Sequence, residues 1–186
     1  RKRVQCTYHA CSDDLDGNLV AAPHMAGVED FDKSCDGLLE VRSAVVGGLL
    51  LIDLSGSAPD VGEHVGDLLP ELERYRLAEL RPGGGTGYEV AANWKGIVEN
   101  YSECLHCPAV HPELNALSDY RSGASLAGAG AWSGGSMTLN DHAETMATGD
   151  GHVSHRPPIK GISEQDQRSV YYYALLPNAL VSLHPD

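Results

Sequence analysis

Two histidines five residues apart, His106 and His111, stand with Pro108 between them and Pro112 directly behind. That spacing decides what the segment Asn93–Pro112 can become. Neighbours on one helix face are three or four residues apart, so a spacing of five does not fit one face of a regular helix. Pro108 lacks an N–H and its ring crowds the preceding turn, so a helix carrying His106 ends or kinks near Cys107. His111 then falls on the next turn or loop, and both rings face inward. Glu103 precedes His106 by three, and on a helix it would share the face of His106. Imidazole is the commonest ligand of borderline metals such as iron and zinc. Two imidazoles and one carboxylate on one side of Fe(II) leave positions open for dioxygen.

Punctuation along the chain gives a coarse organisation. Pro82-Gly83-Gly84-Gly85 is the best boundary, dividing residues 1–82 from residues 83–186. Before it, Val4–His9 and Leu19–Ala22 read as short strands around a turn at Asp16-Gly17. Leu39–Val46 and Leu49–Leu54 read as a hairpin about Gly47-Gly48. The apolar stretch Val45–Leu54 within it reads as a buried strand. Val65–Leu80 carries an amphipathic helical pattern, with a break expected at Pro70. Beyond the boundary, Gly87–Ala92 reads as a strand and Trp94–Cys104 as a helix. Residues 122–135 are rich in Gly, Ala and Ser and read as a loop, followed by a strand at Ser136–Leu139. Val170–Leu176 and Leu180–Leu183 read as strands joined by a turn at Pro177-Asn178. Tyr171-Tyr172-Tyr173 alternates, so one face is expected in the core and the other toward pocket or solvent.

Charge excludes one class of partner. A net charge of −13 opposes nucleic-acid binding, which requires a basic surface. No apolar run approaches a membrane span, so no membrane partner is expected. The five cysteines form no disulfide scaffold, and reduced thiols in a cytoplasmic protein are the expectation. Cys11, Cys35, Cys104 and Cys107 read as small buried residues. His24, His64, His142, His152, His155 and His184 read as structural or exposed.

The run Asn93-Trp94-Lys95, Glu99-Asn100, Glu103, His106-x4-His111-Pro112 resembles the iron-binding segment of the Rieske non-haem iron oxygenases (aromatic-ring-hydroxylating dioxygenases), in their alpha subunits. The resemblance implies that His106 and His111 are two of three protein ligands of a mononuclear Fe(II). It places Glu103 at the acidic position that links iron to the cluster of a neighbouring subunit, and Asn100 near the metal. Upstream, Cys6-Thr7-Tyr8-His9 resembles the second Cys-x2-His half of a Rieske [2Fe–2S] site, so Cys6 and His9 are implied as cluster ligands. Such a site takes two thiolates and two imidazoles, so only half of its ligands are here. Ala10-Cys11 stands where that family usually has Gly-Trp. The third iron ligand of that family is a carboxylate late in the catalytic domain; the chain ends on a segment that resembles a strand short of it, with Asp186 as a nominee.

The implied fold is α+β. Residues 1–82 would be the C-terminal half of a Rieske domain, a partial antiparallel β unit. Residues 83–186 would be the first part of a helix-grip-like catalytic domain, an antiparallel sheet wrapping helices. The implied reaction takes electrons from NAD(P)H through a ferredoxin or flavin reductase and uses O2. It hydroxylates an aromatic ring or oxidises an N-methyl or quaternary ammonium substrate. The Cys-Pro and His-Pro details lean toward members acting on choline and betaine. A homotrimer or an alpha/beta hetero-oligomer is implied for the whole protein. Two alternatives stay open: a zinc-stapled binding module using Cys104 and Cys107 with Cys6 and His9, and an inactive fragment of the oxygenase.

Overall fold

The computed structural model describes residues 2–146, 148, 150–152 and 156–186; His155 lies outside them. The chain forms two compact units. One is drawn from the residues up to Ser43 together with Ile52–Ser57, the other from Ala44–Leu51 and Ala58–Asp186.

The first unit holds a three-stranded antiparallel sheet of β1 (Val4–Gln5), β2 (Ser12–Asp13) and β3 (Leu19–Ala21). The expected strand Val4–His9 stops at Gln5 because the backbone turns at once. The Cys6 N–H donates to the Cys11 carbonyl (2.8 Å) and the Ala10 N–H to the Cys6 carbonyl (3.1 Å). The turn between β2 and β3 is tied by Asp14, whose carboxylate accepts from the N–H groups of Asp16 and Asn18 at 3.0 and 2.9 Å. Short polar side chains of this kind satisfy turn amides locally.

The hairpin β4 (Arg42–Val46) and β5 (Leu49–Asp53) turns at Gly47 and Gly48, which take φ of 54° and 86°. A side chain there would also collide: a Cβ on Gly47 would lie 2.9 Å from that of Leu72. The expectation of a buried strand is corrected. Val45 and Leu50 are 74% and 68% exposed, while Val46, Leu49 and Leu51 pack on the core. The hairpin buries one face only, as period-2 alternation dictates.

In the second unit the expected helix Val65–Leu80 is three pieces: α1 (Val61–Val65), α2 (Leu68–Arg74) and a 3-10 turn at Leu77–Glu79. The break falls at Gly66, where φ is 57°, and not at Pro70. Pro70 sits in the first turn of α2, where a missing N–H costs little. Leu68, Leu72 and Tyr75 from α2 and its end are at most 1% exposed and meet Tyr173, Leu175 and Leu183 in the main core.

That core lies against a four-stranded antiparallel sheet in the order β6 (Ala124–Ala127), β7 (Trp132–Thr138), β8 (Ser169–Leu175), β9 (Ala179–Leu183). Segregated helices on an antiparallel sheet make the unit α+β, as expected. The expected loop at 122–135 is in large part strand. Gly134 pairs with Tyr173, and a Cβ on Gly134 would lie 2.5 Å from the Tyr172 carbonyl oxygen and 2.8 Å from Cδ1 of Tyr173. The glycine there serves a close backbone approach within a strand. Gly87–Ala92 forms no strand; Tyr88 and Val90 are 84% and 59% exposed.

Candidate active site

The second unit also carries α3 (Trp94–Tyr101), α4 (Cys107–Val110) and α5 (Pro112–Leu117). Asn93 caps α3, its side chain accepting from the Lys95 N–H at 3.0 Å. The helix ends at Tyr101, three residues before the expected Cys104. The Ser102 hydroxyl bonds back to the Val98 carbonyl (2.7 Å), and the chain leaves the helix there. Pro108 then lies in the first turn of α4 and Pro112 in that of α5. Both prolines start helices, where their fixed φ suits the first turn. His106 is the residue before α4, and His111 sits between α4 and α5.

This broken helix brings the two imidazoles together. Their ring centroids are 5.3 Å apart with planes at 75°. Glu103 pairs with His106 through a turn and not along a helix face: its Oε1 is 2.6 Å from Nδ1 of His106, and its other oxygen accepts from the Leu105 N–H at 2.5 Å. The His106 hydrogen bond first, then the Leu105 N–H, hold the Glu103 carboxyl below its ordinary range. With Nδ1 of His106 taken by the carboxylate, Nε2 is the nitrogen left for a metal.

Glu103, His106 and His111 line a cavity of about 370 Å³ together with Asn100. Its far wall is the sheet, through Ala124 and Ser125 of β6, Gly135 to Met137 of β7 and Tyr172 of β8. The helical wall is pinned to that sheet. Ser118, fully buried, donates to the Thr138 carbonyl at 2.8 Å, and the Asn140 amide donates to the Ala116 carbonyl at 2.7 Å. The alternation expected of the tyrosine triplet is borne out. Tyr171 and Tyr173 stack on one face, and Tyr173 is buried in the core. Tyr172, on the other face, meets Tyr101 edge-on at 5.8 Å in the cavity. The Tyr101 hydroxyl lies 2.7 Å from that of Ser182 on β9. Burial pushes the Tyr172 hydroxyl up to about 12, and Tyr101 adds to it.

Tyr101, Tyr120 and Gly135 were not singled out by the sequence. Tyr101 adjoins Asn100 and could have been found from that neighbour. Tyr120 and Gly135 reach the cavity only through the tertiary fold.

Cys104 and Cys107 are joined in a disulfide, which corrects the expectation of reduced thiols at these positions. It also removes two donors from the zinc reading. Asp186 does not line the cavity; it accepts from the Thr145 hydroxyl at 2.6 Å. Among the described residues, no group of three or more His, Cys, Asp or Glu gathers around a common point. The two imidazoles at the cavity are donors of a kind that suits iron.

Cys6 and His9 lie in the first unit, both exposed, on the loop between β1 and β2. The Tyr8 N–H points to the Cys6 sulfur at 3.4 Å. That amide, then the amide of His9, holds the thiol below its ordinary range. Amide hydrogen bonds to sulfur are one means by which proteins tune Fe–S clusters. The loop offers one sulfur and one imidazole, half of a Rieske ligand set.

A family model described as the ring hydroxylating alpha subunit, catalytic domain, matches residues 77–186. The glycine betaine monooxygenase oxygenase subunit of Chromohalobacter salexigens is 34% identical over 119 residues, covering 63% of this chain and 26% of that protein. The carnitine monooxygenase oxygenase subunit of Escherichia coli is 34% identical over 116 residues, covering 59% of this chain and 30% of that protein. A crystal structure of the quaternary ammonium Rieske monooxygenase CntA superposes with a TM-score of 0.77 at 21% identity, covering 100% of this chain and 45% of the other. The chain thus spans less than a third of the length of these curated relatives.

Proposed function

The chain belongs to the ring-hydroxylating alpha-subunit family, through its catalytic domain, and from that we propose that it is part of a Rieske-type oxygenase acting on an N-methyl or quaternary ammonium substrate. The observation that carries the proposal is the pair of imidazoles, His106 and His111, 5.3 Å apart on the wall of one cavity with a carboxylate behind the first.

Ferrous iron held by these two rings and a third ligand would supply dioxygen activation beside the substrate. The residues of this chain do the positioning. Glu103 fixes the tautomer and orientation of His106 by holding Nδ1, the usual role of a carboxylate behind a metal-bound imidazole. It is 40% exposed on its side chain, so it can also face a neighbouring subunit's cluster histidine. Asn100, on the same wall, would offer an amide to substrate. Cys6 and His9 would provide half of a [2Fe–2S] site, whose mixed ligands raise its potential above all-cysteine clusters.

Three tyrosines, Tyr101, Tyr120 and Tyr172, line the cavity together with Glu103. Aromatic faces and a carboxylate attract a quaternary ammonium group. That favours a cationic substrate over a neutral ring, in keeping with the names of the two relatives. The proposed partners are a ferredoxin or flavin reductase, O2 and other copies of the subunit, in the cytoplasm. No described helix is long and apolar enough to cross a membrane. The functional division we propose is 1–82 for the cluster domain and 83–186 for the catalytic domain. The test supplies the holoenzyme with a reductase and NADH and follows substrate loss by mass spectrometry. Betaine- or carnitine-like compounds are consumed and simple aromatic hydrocarbons are not; the reverse preference overturns the substrate reading.

A further inference from the structure

Cys104 and Cys107 are not used by the reaction proposed above, yet they bracket one of its two imidazoles. Their sulfurs are joined, with Cα atoms 5.0 Å apart, and both residues line the cavity that holds His106 and His111. The bond closes a ring over Leu105 and His106. That Cα separation is within the range a disulfide spans without moving backbone, so the pair can open and close with His106 in place. The two sulfurs differ in access. Cys104 is half-buried, whereas Cys107 is 2% exposed. A site that reduces dioxygen can release peroxide when electrons arrive without substrate, and both sulfurs belong to residues that line its cavity.

We propose that Cys104 and Cys107 form a reversible thiol–disulfide site for hydrogen peroxide, with Cys104 reacting first and Cys107 resolving, and that its state sets how firmly His106 holds metal. In the first step the Cys104 sulfur attacks one peroxide oxygen. An S–O bond forms, the O–O bond breaks, and the other oxygen leaves as water with the thiol proton. In the second step the Cys107 sulfur attacks that sulfenic acid. An S–S bond forms, the S–O bond breaks, and a second water leaves. The two sulfurs lose one electron each, and peroxide gains both. A dithiol reductant reverses the change, forming its own disulfide and returning two protons to the cysteines.

In the closed state the ring holds the His106 backbone at φ −81° and ψ −17°, with Nδ1 against Glu103. In the open state that covalent constraint is gone and hydrogen bonds alone hold the turn, among them the Cys107 N–H to the Cys104 carbonyl at 3.1 Å and the Leu105 N–H to the Glu103 carboxylate. The thiol chemistry stands on the two cysteines alone; the effect on metal rests on the function proposed above.

The full chain is reduced with dithiothreitol, desalted, exposed to peroxide and labelled with N-ethylmaleimide. The tryptic peptide Gly96–Arg121 contains both cysteines. It should emerge unlabelled and lighter by two hydrogens, and take two labels again after dithiothreitol. In Cys107→Ser, dimedone should trap the sulfenic acid on Cys104; in Cys104→Ser, Cys107 should stay unmodified. Two labels after peroxide, or an adduct confined to Cys107, overturns the thiol site. Release of Fe(II) to a chelator should be about tenfold faster from the reduced protein, the scale of effect seen when support behind a ligand is lost. Equal rates overturn the effect on metal. Failure of both forms to take up iron overturns that effect and the proposed function together, while the peptide result still decides the thiol site.

Discussion

A carboxylate 2.6 Å from an imidazole nitrogen acts with it as one group. Removing Glu103 leaves His106 free to rotate and to choose its tautomer, so Glu103→Ala should weaken Fe(II) binding about 10- to 100-fold, while Glu103→Gln retains most of it. Isothermal titration of the two variants checks this; equal loss in both would place the effect in charge and not in orientation. The closeness of His106 and His111 was legible in the sequence because Pro108 forbids a single helix. The means was not as expected: both prolines open helices, and Glu103 reaches His106 through a turn. Tyr120 could not be read at all, since nothing local marks a residue that reaches the cavity only through folding. Cys104 and Cys107 have a spacing that suits zinc, burial or a disulfide equally well, and only coordinates separate these.

Strands were read well where the chain supplies both alternation and a turn, as at Val170–Leu183 with Pro177-Asn178 between the arms. They were missed at β6 and the start of β7, where Gly, Ala and Ser imitate a loop. The reason is contact: Gly134 lies under Tyr172 and Tyr173, with no room for a side chain. Gly134→Val should therefore destabilise the second unit by about 1–3 kcal/mol, the range for overpacking, and urea denaturation measures it; a neutral result would mean the sheet yields there. Below the sheet, Asp166 is 2% exposed and accepts from Ser163 and Tyr171 beside Arg74. Burial pushes its carboxyl up, but those hydrogen bonds and the Arg74 charge outweigh it and hold it below the ordinary range. A depressed value means stability that is present above the unfolded-state carboxylate pKa, ~3.9, and lost as pH falls through the lower folded value. Unfolding midpoints between pH 5 and 3 should fall in the native chain, and Asp166→Asn should flatten that slope. An unchanged slope would assign the acid sensitivity to other carboxylates.

At the scale of the molecule, the core and the cavity are built from different residues. Leu68, Leu72, Tyr75 and Tyr173 hold the second unit, and neither His106 nor His111 belongs to that cluster. Chelating iron should accordingly leave the far-UV circular dichroism unchanged, because nothing in that core depends on a metal; unfolding on chelation would show that the metal builds the fold. The α+β class was legible through the family resemblance carried by the segment Asn93–Pro112, whereas the boundary of the compact units was not. The glycine run at residues 83–85 lies within the second compact unit, and the hairpin at residues 42–53 contributes to both units. The claim on which all of this turns is that His106 and His111 serve one iron. Its most direct test is iron and visible absorption measured on holoenzyme carrying His106→Ala or His111→Ala. Each change should remove the mononuclear iron and leave the cluster absorption in place; iron retained in both variants, or iron and cluster lost together, would contradict it.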